Sequence, residues 1–298
     1  MFSSAPIRAY VRHKVSQAVV KEGVSWYYQQ MSESIPKKSL GQHWLHDEAT
    51  LDAIVDCADV HTGDAVLEIG PGLGTLTRRL LTRGAQVVAV EFDEALAHGL
   101  PIRLGDEPGA SDLTVVREDI LRFDLTQLPL GYKVVANIPY YLTSNLLRVL
   151  TESNNPFSTA AILIQKEVAE RAAAEPGHMS LLSVSAQYYC EVLLGPLVPA
   201  ELFTPPPKVD SRVLILKYRS EPLYEGVDTK RFFRVVRAGF SQKRKTLVNA
   251  LSGGLAIHKD QARELLSSSG ISPTERAQAL SLKDWYSLYS SCVTMGIV

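Results

Sequence analysis

Six short runs of β-branched and apolar residues alternate with helical patterns between residues 64 and 220, and this alternation constrains the fold most. The runs are Ala65–Ile69, Gln86–Val90, Leu113–Val116, Lys133–Ala136, Ala160–Ile164 and Arg212–Tyr218. Strands that alternate with helices form a mostly parallel, doubly wound sheet. We therefore predict an α/β domain whose ligands bind beyond the carboxyl ends of the strands, near the switch point.

A glycine-rich loop follows the first of these strands. Gly70, Gly72 and Gly74 lead from it into a helical pattern, and glycine lets the backbone approach a ligand closely. The dinucleotide fingerprint G-x-G-x-x-G would need glycine at position 75, where Thr75 stands. The loop therefore indicates a nucleotide-like ligand of another kind, with a purely structural turn as the alternative.

Acidic residues follow the next two strands. Glu91 can accept hydrogen bonds from both ribose hydroxyls of an adenosine cofactor. Asp119 stands where a carboxylate can accept from an adenine amino group. Either acid alone could be a solvated turn residue. Together with the glycine loop, and in this order, they resemble the class I S-adenosylmethionine (SAM)-dependent methyltransferase fold, a Rossmann-like, mostly parallel sheet.

The motif Asn137-Ile138-Pro139-Tyr140 follows the fourth strand and predicts the reaction. The N6 amine of adenine is a weak nucleophile because its lone pair is delocalised into the ring. The Asn137 side-chain oxygen and the Ile138 carbonyl can accept the amine hydrogens and localise that lone pair. Pro139 restrains the backbone, and Tyr140 offers a flat face for the target base. A tight turn at a strand end is the structural alternative.

A second aromatic candidate, Phe203, precedes a stretch with three consecutive prolines at positions 205–207. The stiff loop would hold the ring against the other face of the target base, although a core position is the alternative for Phe203. Orientation of the amine carries much of the barrier reduction. The methylated amine is strongly acidic while cationic, so we predict no general base and no catalytic histidine.

Strand patterns end near residue 220, and leucines at helical spacing predict a small C-terminal helical domain over residues 221–298. Segment 228–250 carries seven basic residues and one acid, a net charge of +6. On a helix its arginines would lie opposite an apolar stripe and could meet RNA phosphates. A solvated charged face is the alternative. The candidate RNA-binding residues are Arg231, Arg234, Arg237, Lys243, Arg244 and Lys245.

Composition narrows the class of protein further. The net charge of −1 points to no partner for the whole chain. Three scattered cysteines without a C-x-x-C motif support neither a disulfide framework nor a zinc site, so no metal is predicted and a cytoplasmic, reducing setting fits. No apolar run reaches the length of a membrane span. Residues 1–36 are a basic N-terminal extension, in which an organelle transit peptide is the alternative to a plain extension.

From about Lys37 onward the chain resembles the bacterial small-subunit rRNA adenine dimethyltransferase family. The resemblance rests on the glycine loop, the Asn137–Tyr140 motif and segments 38–45, 203–210 and 240–247. It implies that residues 37–220 form a SAM-binding methyltransferase domain. His43 and Trp44 replace the asparagine and phenylalanine that the family usually has. The cofactor-binding residues implied by the resemblance are His43, Leu45, Gly70, Gly72, Glu91, Asp119 and Asn137.

The resemblance also implies the substrate. The family converts two adjacent adenosines in a hairpin loop of small-subunit (16S) rRNA to N6,N6-dimethyladenosine, during ribosome biogenesis. The expected partner is the immature small ribosomal subunit, and the protein is expected to bind it as a monomer. Lys37 and Lys38 would extend the RNA-binding surface. Three alternatives stay open: a large-subunit rRNA adenine methyltransferase, a non-catalytic assembly or transcription factor on the same fold, and a small-molecule methyltransferase. The last leaves the basic segment unexplained.

Overall fold

The computed structural model describes residues 41–298. The N-terminal extension and the candidate RNA-binding residues Lys37 and Lys38 lie outside the described residues. The chain forms two compact units. The first comprises the described residues up to Lys166 together with Gly195–Ile215, and the second comprises Glu167–Leu194 and Leu216–Val298.

The strands of the described chain are β1 (Trp44–Leu45), β2 (Ala65–Ile69), β3 (Gln86–Glu91), β4 (Leu113–Arg117), β5 (Lys133–Asn137), β6 (Thr159–Gln165), β7 (Cys190–Val198), β8 (Phe203–Thr204) and β9 (Ser211–Tyr218). β1 and β8 pair antiparallel as a separate two-stranded sheet. The other seven form one sheet in the order β4-β3-β2-β5-β6-β9-β7. Neighbouring strands from β4 to β6 run parallel, which confirms the predicted mostly parallel sheet.

The strand order places the switch point between β2 and β5. The chain runs outward from β2 through β3 and β4, and then returns to start the other half at β5. Ile69 at the end of β2 lies opposite Val90 on one side and Ala136 on the other. Ligands of such sheets bind beyond the carboxyl ends of the strands at this point. The loops after β2, β3 and β5 therefore meet where a ligand is expected.

The six predicted strands are confirmed to within one residue at each end, but β7 was not predicted. Gly195 and Pro196 interrupt its apolar pattern. β7 is an edge strand, where a proline without an N–H is tolerated. Glycine is needed because a Cβ at position 195 would lie 3.0 Å from the Cβ of Val213. Such a close approach of neighbouring strands leaves no signal in a local pattern.

The helices of the described chain are α1 (Glu48–Cys57), α2 (Thr75–Thr82), α3 (Glu94–Arg103), α4 (Thr143–Thr151), α5 (Lys166–Ala172), α6 (Leu181–Tyr189), α7 (Thr229–Phe240), α8 (Leu247–Leu255), α9 (Lys259–Ser268) and α10 (Leu282–Thr294). In residues 41–298, none of them is long and apolar enough to cross a bilayer. Asp47 and Asp93 cap α1 and α3 by accepting N–H groups of the first turn. In the first unit, apolar residues of these helices pack on the sheet around Val66 and Leu80, which are both buried.

The core of the second unit is built by helices around Trp285 and Phe232, both fully buried. α7 buries Phe232 and Val236, as its predicted apolar stripe requires. Gly239 has no side chain that would block the Trp285 ring, which lies directly against it. The second unit also includes Glu167–Leu194, which precedes the boundary expected near residue 220.

Candidate active site

A cavity of about 330 Å³ lies in the first unit, beyond the ends of β2, β3 and β5. It is lined by the glycine loop, the two acids after the strands and the whole Asn137–Tyr140 motif. The structure thus brings together every residue that was predicted for cofactor binding or catalysis, namely His43, Leu45, Gly70, Gly72, Glu91, Asp119, Asn137, Ile138, Pro139, Tyr140 and Phe203.

The glycine loop has a backbone that other residues rarely adopt. Gly70 and Gly72 have φ angles of +67° and +57°, in the left-handed region that strains any side chain. A Cβ on Gly72 would lie 2.5 Å from the Trp44 ring, which packs on the loop. A Cβ on Gly70 would meet nothing closer than the Asn137 carbonyl, at 3.8 Å. The loop is therefore packed at Gly72 and has open space at Gly70.

Glu91 connects the end of β3 to the glycine loop. Its carboxylate accepts hydrogen bonds from the N–H groups of Gly72 at 3.1 Å and Asp93 at 2.8 Å. Burial raises the pKa of Glu91, and these two N–H groups oppose that shift. The Gly72 carbonyl accepts a further bond of 3.1 Å from the Arg103 guanidinium. Loop and acid are consequently held as one unit at the cavity.

Asp119 is half-buried in the turn after β4. One carboxylate oxygen accepts the N–H of Leu121 at 3.0 Å, and the Asp119 carbonyl accepts the N–H of Arg122 at 2.8 Å. These bonds fix the turn, and the side chain lines the cavity next to Ile120. Asp119 is thus positioned to accept a hydrogen bond from a ligand in the cavity.

Glu68, within β2, also lines the cavity and was not singled out in the sequence. Its side chain is fully buried, and within residues 41–298 neither carboxyl oxygen accepts a hydrogen bond of ordinary geometry. Desolvation raises the pKa of Glu68 to about 8; the facing hydroxyl and amide of Thr77 oppose this shift, and the charge of Glu91 adds to it. In the sequence, Glu68 looks like any other residue of the strand. Only its burial in the folded protein distinguishes it from an exposed acid.

We expect the raised pKa of Glu68 to make stability depend on pH. The unfolded chain releases this proton near the ordinary value of 4.5, whereas the folded chain retains it to about 8. Stability should therefore fall as pH rises through this window. Glu68→Gln, which cannot ionise, should melt several degrees higher than the natural protein at pH 8, since 1 kcal/mol corresponds to roughly 2–4 °C. Equal melting temperatures of the two proteins at pH 5 and at pH 8 would contradict the assignment.

Asn137 is oriented by a backbone contact. Its side-chain Nδ2 donates to the His43 carbonyl over 3.5 Å, and Oδ1 has no hydrogen-bond partner among residues 41–298. His43 itself hydrogen-bonds through Nδ1 to the Pro205 carbonyl at 2.7 Å. The imidazole is nearly parallel to the Tyr140 ring, at 19° and 6.1 Å between centroids. His43 therefore connects the Asn137–Tyr140 motif to the proline loop.

Tyr140 is held at both ends. Its hydroxyl forms a hydrogen bond of 2.7 Å with the Ser211 hydroxyl, and its carbonyl accepts from Thr143 Oγ1 at 2.9 Å. Burial raises the pKa of Tyr140, which keeps the phenol neutral. Ser211 is fully buried. A single serine at the start of a strand carries no signal in the sequence, so this partner was not predicted.

Phe203 is a core residue that also borders the cavity. It is only 3% exposed and belongs to the core of the first unit, yet it also lines the cavity. In the small sheet, Phe203 of β8 pairs with Leu45 of β1. The Leu45 carbonyl accepts a hydrogen bond of 3.0 Å from Thr75 Oγ1 at the start of α2. Position and burial thus place the ring rigidly at the cavity wall.

In the second unit, the basic segment presents an exposed arginine face. Arg231, Arg234 and Arg237 are exposed, whereas the residues between them on α7 are buried. None of the three forms an ion pair with a residue of the described chain. Lys243, Arg244 and Lys245 lie in the fully exposed stretch 241–245 that follows the helix. The segment therefore presents exposed basic side chains, and it carries no acidic residue between Thr229 and Ala250.

Comparison with known proteins identifies the family. Residues 34–293 match the family model described as ribosomal RNA adenine dimethylase. Two relatives named ribosomal RNA small subunit methyltransferase A are about equally similar. The protein of Dehalococcoides mccartyi (strain CBDB1) is 40% identical over 255 residues, 85% of this chain and 87% of the relative. That of Streptococcus pneumoniae serotype 2 (strain D39) is 41% identical over 275 residues, 88% of this chain and 93% of the relative.

Solved structures agree with this result. A dimethyladenosine transferase from Plasmodium falciparum superimposes with a TM-score of 0.73 and 26% identity, over 85% of this chain and 98% of the other. The 23S rRNA methyltransferase ErmE gives a TM-score of 0.68 and 29% identity, over 83% and 98%. The predicted class I SAM-dependent methyltransferase fold is confirmed, and the chain belongs to the ribosomal RNA adenine dimethylase family.

Proposed function

We propose that this protein uses SAM to dimethylate the N6 amines of two adjacent adenosines in a hairpin loop of small-subunit rRNA, as a step of ribosome biogenesis. One observation carries the proposal: a single cavity is lined by the glycine loop, two acids that suit an adenosine cofactor, and the motif Asn137–Tyr140. Relatives that are named for the small subunit favour this substrate over large-subunit rRNA.

The residues of the cavity fit SAM. The open space at Gly70 admits a ligand close to the backbone, and the carboxylates of Glu91 and Asp119 border the same cavity. Glu91 would accept from the ribose hydroxyls and Asp119 from the adenine amino group. His43, Leu45, Gly72 and Asn137 complete the binding set that the family resemblance implies. When bound, SAM supplies an electrophilic methyl group on a sulfonium.

The chain's part in the reaction is to prepare the target amine. Asn137 Oδ1 and the Ile138 carbonyl accept the two N6 hydrogens, which localises the lone pair on nitrogen. The contact from Asn137 Nδ2 to the His43 carbonyl keeps Oδ1 available. The new N–C bond would form as the methyl–sulfur bond of the sulfonium breaks, which leaves the demethylated cofactor as a neutral thioether. The amine is then cationic and strongly acidic, and it releases its proton to water. One N–H remains after the first methylation, so one acceptor suffices for the second.

Tyr140 and Phe203 would hold the target base between them. Both rings line the cavity, and the hydrogen bond to Ser211 restrains Tyr140 while core packing restrains Phe203. Pro139, with φ −56°, fixes the turn that presents Tyr140. An adenosine in a loop is unstacked and inserted at lower cost than a paired one, which suits a hairpin-loop substrate.

We assign the RNA contacts mainly to the helical region 221–298, with Lys37 and Lys38 as further candidates. The exposed arginine face of α7 and the stretch Lys243–Lys245 support this assignment. We further propose that the protein acts as a monomer on the immature small subunit in the cytoplasm. A reducing setting is supported by Cys57, Cys190 and Cys292, which are all free thiols.

We expect the double variant Arg231→Ala/Arg234→Ala to bind small-subunit rRNA about tenfold more weakly at low salt, because two phosphate contacts are lost. The slope of log affinity against log salt should become shallower by about one to two. The matched control is Arg263→Ala on α9, an exposed arginine of the same unit that pairs with Asp260. Equal salt slopes for the double variant and the natural protein would rule out this face.

The proposed function is tested by incubating the protein with labelled SAM and unmethylated small subunits, followed by nucleoside analysis and primer extension. We expect N6,N6-dimethyladenosine at two adjacent positions of the small-subunit rRNA. Label in large-subunit rRNA would assign the chain to the other branch of the family. Label transferred equally well to free nucleosides would reject an RNA substrate, and no transfer at all would indicate a non-catalytic member.

A further inference from the structure

Exposed aromatic rings are rare in the part of the chain that the structure describes. Among the described residues, only Phe92 and Tyr141 are aromatic and largely exposed, at 64% and 63%. Both line the candidate active-site cavity. Single exposed apolar side chains are common on protein surfaces, but aromatic rings supply much of the contact energy at interfaces. Exposed rings that also line the cavity are therefore candidates for contact with a ligand.

The two rings serve different parts of the cavity. Phe92 directly follows Glu91, the acid assigned to the cofactor ribose, so the cofactor accounts for it. Tyr141 directly follows the Asn137–Tyr140 motif, where the target amine is placed. Tyr140 and Phe203 are already assigned to the target base. Tyr141 is therefore an exposed ring beside the reaction centre with no ligand yet assigned.

The backbone that carries Tyr141 is fixed. The residue lies in a short turn in which the N–H of Leu142 donates to the Pro139 carbonyl at 3.0 Å. One edge of the ring faces Gly41, where a Cβ would lie 3.8 Å from Tyr141 Cε1. No described residue hydrogen-bonds the Tyr141 hydroxyl, in contrast to the hydroxyl of Tyr140. The backbone at Tyr141 is thus ordered before a ligand binds, so a ligand that stacks on the ring would have to order only the side chain.

We propose that Tyr141 stacks on the base next to the target adenosine, that is, on the second of the two adjacent adenosines. The inference rests on the proposed function. Extruding one adenosine uncovers the face of its neighbour, and an aromatic side chain can replace the lost stacking partner. Because the two substrates are adjacent, Tyr141 would hold one adenosine while the other occupies the cavity. It is a substrate-positioning residue, and the acceptors of the amine hydrogens stay Asn137 and Ile138.

The first test compares Tyr141→Ala, Tyr141→Phe and Tyr141→Leu in single-turnover transfer to unmethylated small subunits. We expect Tyr141→Ala to raise the half-saturating subunit concentration about tenfold, with the saturating rate and the SAM dissociation constant unchanged. Tyr141→Phe should restore binding because it keeps the flat ring. Tyr141→Leu should not. Leu130→Ala, at a distant residue that is 87% exposed, is the control for loss of exposed apolar surface.

The second test identifies the neighbour as the partner of Tyr141. Small subunits are assembled from rRNA with either adenosine or uridine beside a single target adenosine. The natural protein should prefer adenosine several-fold, since a purine offers the larger stacking face, and Tyr141→Ala should lose this preference. The proposal is wrong if Tyr141→Ala and the replacement of the neighbouring adenosine by uridine lower the rate independently of each other. Full activity of Tyr141→Leu would also overturn it. If the natural protein methylates no adenosine in either subunit, the proposed function fails instead.

Discussion

Replacing Asn137 by alanine is expected to lower the saturating rate of methyl transfer by on the order of 10²–10³-fold, the usual effect of removing one preorganised polar contact to a transition state. The variant loses Oδ1, the acceptor that localises the lone pair of the target amine. Its affinity for small-subunit rRNA should stay within about twofold, because Asn137 is half-buried at the cavity and contributes no charge. Single-turnover rates and equilibrium RNA binding measure the two quantities separately.

Asn137→Asp tests how much the orientation of the acceptor oxygen contributes. It keeps an acceptor oxygen but removes the donor that contacts the His43 carbonyl at 3.5 Å. We expect a rate between those of the natural protein and Asn137→Ala, since the acceptor is present but less well oriented. A SAM dissociation constant determined for each variant separates a lost acceptor from a lost cofactor contact. Unchanged turnover in Asn137→Ala would refute the proposed mechanism.

Glu91→Ala should raise the SAM dissociation constant by about 10²–10³-fold. Hydrogen bonds to a charged acceptor contribute about 1.5–3 kcal/mol each, and tenfold in affinity corresponds to about 1.4 kcal/mol. The substitution removes the proposed acceptor of two ribose hydroxyls and also the contact of 3.1 Å that holds the N–H of Gly72. Calorimetric titration with SAM measures the loss. RNA binding by the second unit should not change, so an equal loss of RNA affinity would indicate general unfolding.

The pH dependence of SAM binding provides an independent check of Glu91. Burial raises the pKa of its carboxyl, so the group takes up a proton at higher pH than an exposed glutamate. The protonated form accepts fewer hydrogen bonds. SAM affinity should therefore fall as pH decreases through this raised pKa, and Glu91→Gln should bind weakly with less dependence on pH. The same pH profile in both proteins would assign the titration to another group.

Much of the fold could be predicted from the sequence because the relevant signals are local. A buried parallel strand needs a run of apolar residues, and a sharp loop with positive φ needs glycine, as at Gly70. Once the strands are known, the geometry of a parallel sheet places the residues that follow them at one edge. Glu91, Asp119 and Asn137 can therefore be assigned to one site from the sequence. β7 was not predicted, because Pro196 interrupts its apolar pattern. The structure tolerates this proline because β7 lies at the edge of the sheet.

Residue types and their spacing are enough to identify the alternating α/β order, the glycine loop, the two acids and the motif around Asn137. Contacts between distant segments were decided only by the tertiary structure, because they depend on which surfaces pack together. Packing buries Glu68 where no described residue gives it a hydrogen bond of ordinary geometry, and this burial raises its pKa to about 8. It brings the Ser211 hydroxyl to 2.7 Å from that of Tyr140, and it leaves Tyr141 exposed beside the reaction centre. Residue type and spacing encode backbone conformation, whereas burial and exposure of a polar or aromatic side chain arise only when the chain has folded.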